Sequence, residues 1–148
     1  MELSIREATE EDIPSILGLL YELERPQPLD DKEIKIFKKK IQNYFSDSTK
    51  DILVSEQDKK IVGVVTLIYL QRLNHAKLEM YIPELVVTEK LRFSGIGKKM
   101  MQHCMDVAKK KKCYRIRLES GNQRNESHKF YKSIGFEQSA LTFTKSIL

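Results

Sequence analysis

Between a β-rich run and an amphipathic stretch, the chain carries Arg92-Phe93-Ser94-Gly95-Ile96-Gly97, followed by Lys98 and Lys99. Glycines at such spacing let a backbone turn its N–H groups towards a ligand, and a helix opening there adds about half a positive charge from its dipole. Arg92, Lys98 and Lys99 strengthen the field, so the segment is a candidate phosphate cradle; the plainer reading of the same glycines is an ordinary turn. Spacing excludes two familiar phosphate loops. A GxGxxG fingerprint needs glycine where Met100 stands, and a GxxxxGK[ST] loop needs Ser or Thr where Lys99 follows Lys98. Metal chemistry finds no ligand set either. Cys104 and Cys113 form no CxxC pair, and His75, His103 and His128 show no HExxH-type spacing, so no metal is expected and the thiols read as buried and reduced.

These residues need elements to hold them. Leu3 to Ala8 alternates like a half-buried strand. Thr9 or Asp12 then caps a helix with Pro14 in its first turn and an apolar stripe of Ile13, Ile16, Leu17, Leu20 and Leu23, ended by Arg25-Pro26-Gln27-Pro28. Asp30 or Asp31 caps a second helix whose face reads Ile34, Phe37, Ile41, Tyr44 and Phe45, stopping near Asp47. Gln57 to Lys60 reads as a hairpin turn between Ile52-Leu53-Val54 and Ile61 to Leu70, and Met80 to Val87 completes a meander. Pro83 inside that last run signals a bulge or a position without a ladder partner. Ile96, Met100, Met101, Cys104, Val107 and Ala108 keep a helical period, Tyr114, Ile116 and Leu118 a strand period. A short helix through Phe130 and Tyr131 stops at Gly135, and Leu141 to Ile147 alternates as a final strand. The order gives an α/β (α+β) three-layer domain.

The 148 residues are the length of one domain, taken as residues 1–148, able to hide roughly 68–70% of its unfolded surface. With 41% hydrophobic and 32% charged residues, the composition is that of a globular protein. No apolar run approaches the ~20 residues of a membrane-spanning helix. The start, Met1 to Arg6, lacks the pattern of a secretory signal, so a cytoplasmic address is expected. Net charge is +5, divided unevenly: residues 1–34 hold ten acids and three bases, a net of −7, and the remainder a net of +12. Lys38 to Lys40 and Lys109 to Lys112 are ordinary solvated runs, the second suited to a helix C-terminus.

Two co-linear motifs are specific. Glu84-Leu85-Val86-Val87 with Arg92-x-x-Gly95-x-Gly97, then Ser127-His128-x-Phe130-Tyr131-x-x-x-Gly135-Phe136, closely resembles the GNAT superfamily of N-acetyltransferases. The resemblance implies a mixed, mostly antiparallel central sheet flanked by helices and splayed between Met80 to Val87 and Cys113 to Glu119, with acetyl-coenzyme A in the opening. It implies cofactor contacts from Leu85, Val86, Val87, Arg92, Phe93, Ser94, Gly95, Ile96, Gly97, Lys98, Asn122, Arg124, Ser127 and Phe130. Leu85 and Val87 would pair with the pantetheine arm as an added strand would, and Arg92 to Gly97 would hold the pyrophosphate. By the same resemblance Tyr131 protonates the departing thiolate. Glu84 is the nearest carboxylate to deprotonate the amine, although strand alternation sets it opposite Tyr81, Pro83, Leu85 and Val87 unless a bulge resets the register. Glu79, Tyr81 and His75 are the substitutes. Arg124 stands where many relatives carry asparagine, and His128 is read as structural.

The function expected is acetyl-CoA-dependent transfer of an acetyl group to a primary amine. Glu22, Glu24, Asp30 and Asp31, on the side where such folds receive the acceptor, favour a small cationic amine. The alternatives are a protein lysine or N-terminal acetyltransferase and a non-catalytic CoA-binding module. Lys109 to Lys112, Arg115 and Arg117 lack the aromatic interleaving of an RNA-binding sheet, so no nucleic acid and no membrane partner is expected. Homodimers are common among relatives, and the final β-rich stretch leaves that option open.

Overall fold

A computed structural model describes residues 2–22, 30–121 and 124–148. They form two compact units, Met1–Arg117 and Leu118–Leu148. The first holds β1 (Leu3–Glu7), α1 (Ile13–Tyr21), α2 (Asp31–Phe45), β2 (Lys50–Gln57), β3 (Lys60–Gln71), β4 (Leu78–Ile82), β5 (Leu85–Val87), α3 (Ile96–Lys110) and the start of β6 (Arg115–Leu118). The second contains α4 (Asn125–Ser133). The sheet runs β1-β2-β3-β4-β6, and β5 pairs with β3 beyond the end of β4. The pairings β1–β2, β2–β3, β3–β4 and β3–β5 are antiparallel, so the sheet is the mostly antiparallel one expected.

The β2–β3 turn is the one the sequence marks. Asp58 and Lys59 both take positive φ, 52° and 63°, as a two-residue turn matched to strand twist requires. Side chains at paired positions share a face. Ile52, Val54, Val64 and Val86 therefore point together, and they pack with Ile13, Ile16, Leu17 and Leu19 of α1 and Ile41 of α2. On the opposite face Met100 Sδ and Ser55 Oγ close over Gly63, which places α3 there. The unit thus has helix, sheet and helix layers. In α1 the buried stripe uses Leu19 where the periodicity names Leu20, which is half-buried; Leu23 lies outside the described residues.

Two expectations change. The run Met80 to Val87 is two strands, because β4 and β5 pair with β3 in registers offset by one residue. Leu67 and Thr66 face three residues, Ile82, Pro83 and Glu84, which is a β-bulge where proline could not have continued the ladder. The final strand, Leu141 to Ile147, does not form: residues 136–148 carry no strand, and Leu141, Phe143 and Ile147 are exposed. Alternation sets which side chains share a face, but a strand also needs a neighbour for its N–H and C=O groups.

Candidate active site

The cradle forms at the start of α3. Gly95 is its N-cap at φ +90°, a left-handed conformation that side-chain-bearing residues disfavour, and no side chain caps the helix. The first intrahelical bond runs from Lys99 N to Gly95 O at 3.1 Å, so the N–H groups of Ile96, Gly97 and Lys98 face past the helix end. Ile96 is buried and fixes the helix, while Arg92, Phe93, Ser94 and Lys98 are exposed around it. Arg92 Nε donates to Val87 O at 3.3 Å, which holds the loop against β5, and Ser94 Oγ donates to Leu91 O within the loop. The N-terminal dipole, three N–H groups and two cations make this a place for a phosphate.

The neighbouring strand supplies an edge. Thr66 N donates to Glu84 O at 3.0 Å and Thr88 N to Val62 O at 2.8 Å, so the main chain at positions 84, 86 and 88 faces β3. By alternation Leu85 and Val87 turn their main-chain groups to the other side, where Val87 O meets Arg92 Nε and the edge can still take an extended amide-bearing ligand as a strand. Val86 points its side chain into the core and turns its main chain to β3, so the cofactor contact expected of it is not available on that edge.

The bulge decides the question of Glu84. After the extra residue, Glu84 joins Val86, Tyr81 and Glu79 on the α1/α2 face of the sheet. Its carboxylate accepts from Thr66 Oγ1, which in turn accepts from Glu84 N at 3.0 Å. Thr66 is 4% exposed, so this clasp anchors the acid from below while Glu84 itself stays half-buried. Thr66 carries no signal of its own, since a threonine in a strand is ordinary. Of the substitutes, Glu79 is bound by Arg115 and Arg117, and the His75 ring stacks on Tyr114 at 3.7 Å.

In the second unit Tyr131 lies in an aromatic cluster, its ring centroid 5.2 Å from Phe130 and 5.8 Å from Phe136. The motif Tyr131-x-x-x-Gly135-Phe136 is a helix stop. Phe136 N donates to Tyr131 O and Gly135 N to Lys132 O, with Gly135 at φ +98°, and the Tyr131–Phe136 contact completes the pattern. Burial pushes the Tyr131 phenol above the ordinary tyrosine range, and the charge of Arg124 opposes that rise. Arg124 O accepts the first bond of α4, from His128 N, and His128 Nε2 lies 2.7 Å from Gly121 O, the structural role expected of it. Ser127 is half-buried in the first turn; Asn122 lies outside the described residues.

The acids expected to attract a cation have local duties. Glu22 Oε1 accepts from Glu89 N at 3.0 Å, Asp30 caps α2 by accepting from Glu33 N, and Asp31 opens that helix; Glu24 lies outside the described residues. Among the described residues, no group of His, Cys, Asp and Glu is placed to hold a metal, and no helix is long and apolar enough to cross a membrane. Burial pushes the Cys104 thiol up to about 12, so it is an inert core thiol.

The chain is 26% identical over 143 residues to an aminoalkylphosphonate N-acetyltransferase of Salmonella typhimurium, covering 97% of this chain and 90% of that one. Its fold matches a transcriptional regulator from Bacillus halodurans with a TM-score of 0.88 at 21% identity, covering 99% and 100% of the two chains. It also matches glucosamine-6-phosphate N-acetyltransferase from Arabidopsis thaliana with a TM-score of 0.82 at 22% identity over 99% of each. Residues 17–136, most of the chain and both motifs, match the family model described as Acetyltransferase (GNAT) family, and the chain belongs to that family.

Proposed function

We propose that this protein transfers the acetyl group of acetyl-CoA to the primary amine of a small acceptor, all 148 residues serving as one catalytic domain. The observation that carries the reading is the adjacency of an open strand edge at Leu85 and Val87 to a phosphate cradle at Gly95 to Lys98, which suits a ligand with an amide-bearing arm and a pyrophosphate. The pantetheine amides pair with the edge, and the pyrophosphate takes the N–H groups of α3 with Arg92 and Lys98 beside it. Arg124, Ser127, Phe130 and Asn122 complete the cofactor contacts in this reading.

The amine nitrogen attacks the thioester carbonyl carbon, the C–S bond breaks, and sulfur leaves as a thiolate. Tyr131 donates its phenolic proton to that sulfur. A phenol of pKa about 10, pushed higher by burial, still carries its proton at neutral pH, and the Arg124 charge eases its brief loss. Glu84, braced by Thr66, takes the proton the ammonium must lose before attack, directly or through a water, and the second proton that the nitrogen sheds as the amide forms restores the Tyr131 phenol. A cationic acceptor is met in this reading by Glu84, since Glu22 and Asp30 are engaged at helix starts. The Salmonella relative acts on an aminoalkylphosphonate, which supports a small-molecule acceptor over a protein amine.

Thiol release from acetyl-CoA, measured against a panel of small amines and a peptide library, tests the reading. Turnover of a small amine is expected, with Tyr131→Phe lowering kcat about 100-fold, the range of a general acid. Turnover confined to peptides would move the acceptor to protein, and an unchanged kcat in Tyr131→Phe would remove that residue from the chemistry.

A further inference from the structure

On the same face of the sheet as Glu84, the carboxylate of Glu79 is fully buried, its side chain 0% exposed. Three guanidiniums converge on it. Arg115 Nε binds Oε2, Arg117 Nε donates to Oε1 at 3.1 Å, and Arg72 Nη1 stands 3.7 Å from Oε1. Burial alone would raise Glu79, but its bonds to Arg115 and Arg117 and their charges hold it below the usual carboxylate range, so it is ionised. Among the described contacts, one carboxylate thus meets three guanidiniums.

One arginine is enough to neutralise a buried carboxylate; gathering three sets like charges against one another. These guanidiniums are also held in place and reachable. Arg115 lies over the Tyr114 ring at 5.3 Å and Arg117 over the Tyr81 ring at 4.5 Å, while the side chains of Arg72, Arg115 and Arg117 remain 41%, 46% and 34% exposed. The ring contacts restrain the guanidiniums, and binding Glu79 through Nε leaves the terminal amino groups of Arg115 out of that bond. A planar fork so held is the donor geometry for a tetrahedral oxyanion.

We propose that Arg72, Arg115 and Arg117 form the acceptor's anion subsite, which takes a phosphonate or phosphate group while the acceptor's amine lies at Glu84. Tyr81, under Arg117, pairs with Ile68, two residues along β3 from the Thr66 that anchors Glu84, a separation of about 7 Å along the strand. A short alkyl chain between amine and oxyanion spans that distance. The inference rests on the N-acetyltransferase reading for the amine end, but the anion end is measurable without turnover.

Calorimetric binding of aminoethylphosphonate and of inorganic phosphate to the full chain reads the subsite directly. Thiol-release kinetics compare aminoethylphosphonate with propylamine, which lacks the oxyanion. Arg115→Gln and the more peripheral Arg72→Gln are each expected to weaken phosphonate binding at least 10-fold and to raise the KM of the phosphonate amine similarly. The kcat of that acceptor and the kinetics of propylamine should stay unchanged. Retained circular dichroism and melting temperature identify folded variants, and either variant alone decides the matter. Phosphonate binding lost in the variants without turnover of any amine would sustain the subsite and overturn the acetyltransfer reading. Turnover of propylamine with no phosphonate binding, or equal losses for both amines, would overturn the subsite and leave acetyltransfer standing.

Discussion

Glu84 shows how one backbone irregularity decides which face of a sheet a side chain joins. Regular alternation would put it opposite Tyr81; the extra residue at the Pro83 bulge puts it on the same face and over Thr66. Proline announced the bulge, but whether the register shifted by one residue depends on pairing with β3, which the sequence of β4 and β5 alone does not contain. Tyr131, Gly95 and Gly97 were legible because their motif fixes their place; Thr66 and the Glu79 cluster were not, since cross-strand and side-chain partners far apart in sequence make them. If Glu84 is the base, Glu84→Gln should lower kcat about 100-fold with little change in the KM for acetyl-CoA. An unchanged kcat would assign the base elsewhere. Thr66→Val, which removes the hydroxyl clasp and keeps the shape, should lower kcat less than Glu84→Gln does.

Elements with their own start and stop chemistry were readable; those that depend on a distant partner were not. The β2–β3 turn, the α2 cap at Asp30 and the α4 stop at Gly135 each follow from residues within a few positions. The alternating segment Leu141 to Ile147 has the pattern of a strand without a ladder, and the single run Met80 to Val87 divides where proline interrupts it. The α4 stop also bears on the role proposed for Tyr131, because the bonds that end the helix at Tyr131 O and the contact of Phe136 set the orientation of the Tyr131 ring. Gly135→Ala forces an L-residue into φ +98°, at a cost of about 1–2 kcal/mol. A melting temperature lower by about 2–8 °C is expected for a chain of this size, together with a reduced kcat. An unchanged melting temperature would show that the segment reaches its stop by another conformation.

The molecule as a whole divides its charge, with −7 in residues 1–34 and +12 in the rest, and the structure ties the two regions together at Arg6. Arg6 Nη1 and Nη2 hold Asp12 at 2.7 and 3.0 Å, and Nη2 reaches Glu56 on β2 at 3.0 Å. The hydrogen bond from Arg6 keeps Asp12 below the ordinary aspartate range, overcoming the burial that would raise it. Glu79 is likewise lowered on balance. A carboxylate whose folded pKa is depressed binds its proton more tightly in the unfolded chain, so its stabilising share is complete above the unfolded value of about 4 and is lost as pH falls through the lower folded value. Urea midpoints for the whole protein should therefore change little between pH 7 and 5 on account of these groups and decline below about 4. Asp12→Asn should lower the midpoint at pH 7 and flatten the acid decline, because the proton that the wild-type chain must take up on unfolding is no longer exchanged at that site. Parallel declines in the two proteins would show that the Arg6–Asp12 tie does not govern acid stability and would leave the loss to Glu79 and the general build-up of positive charge.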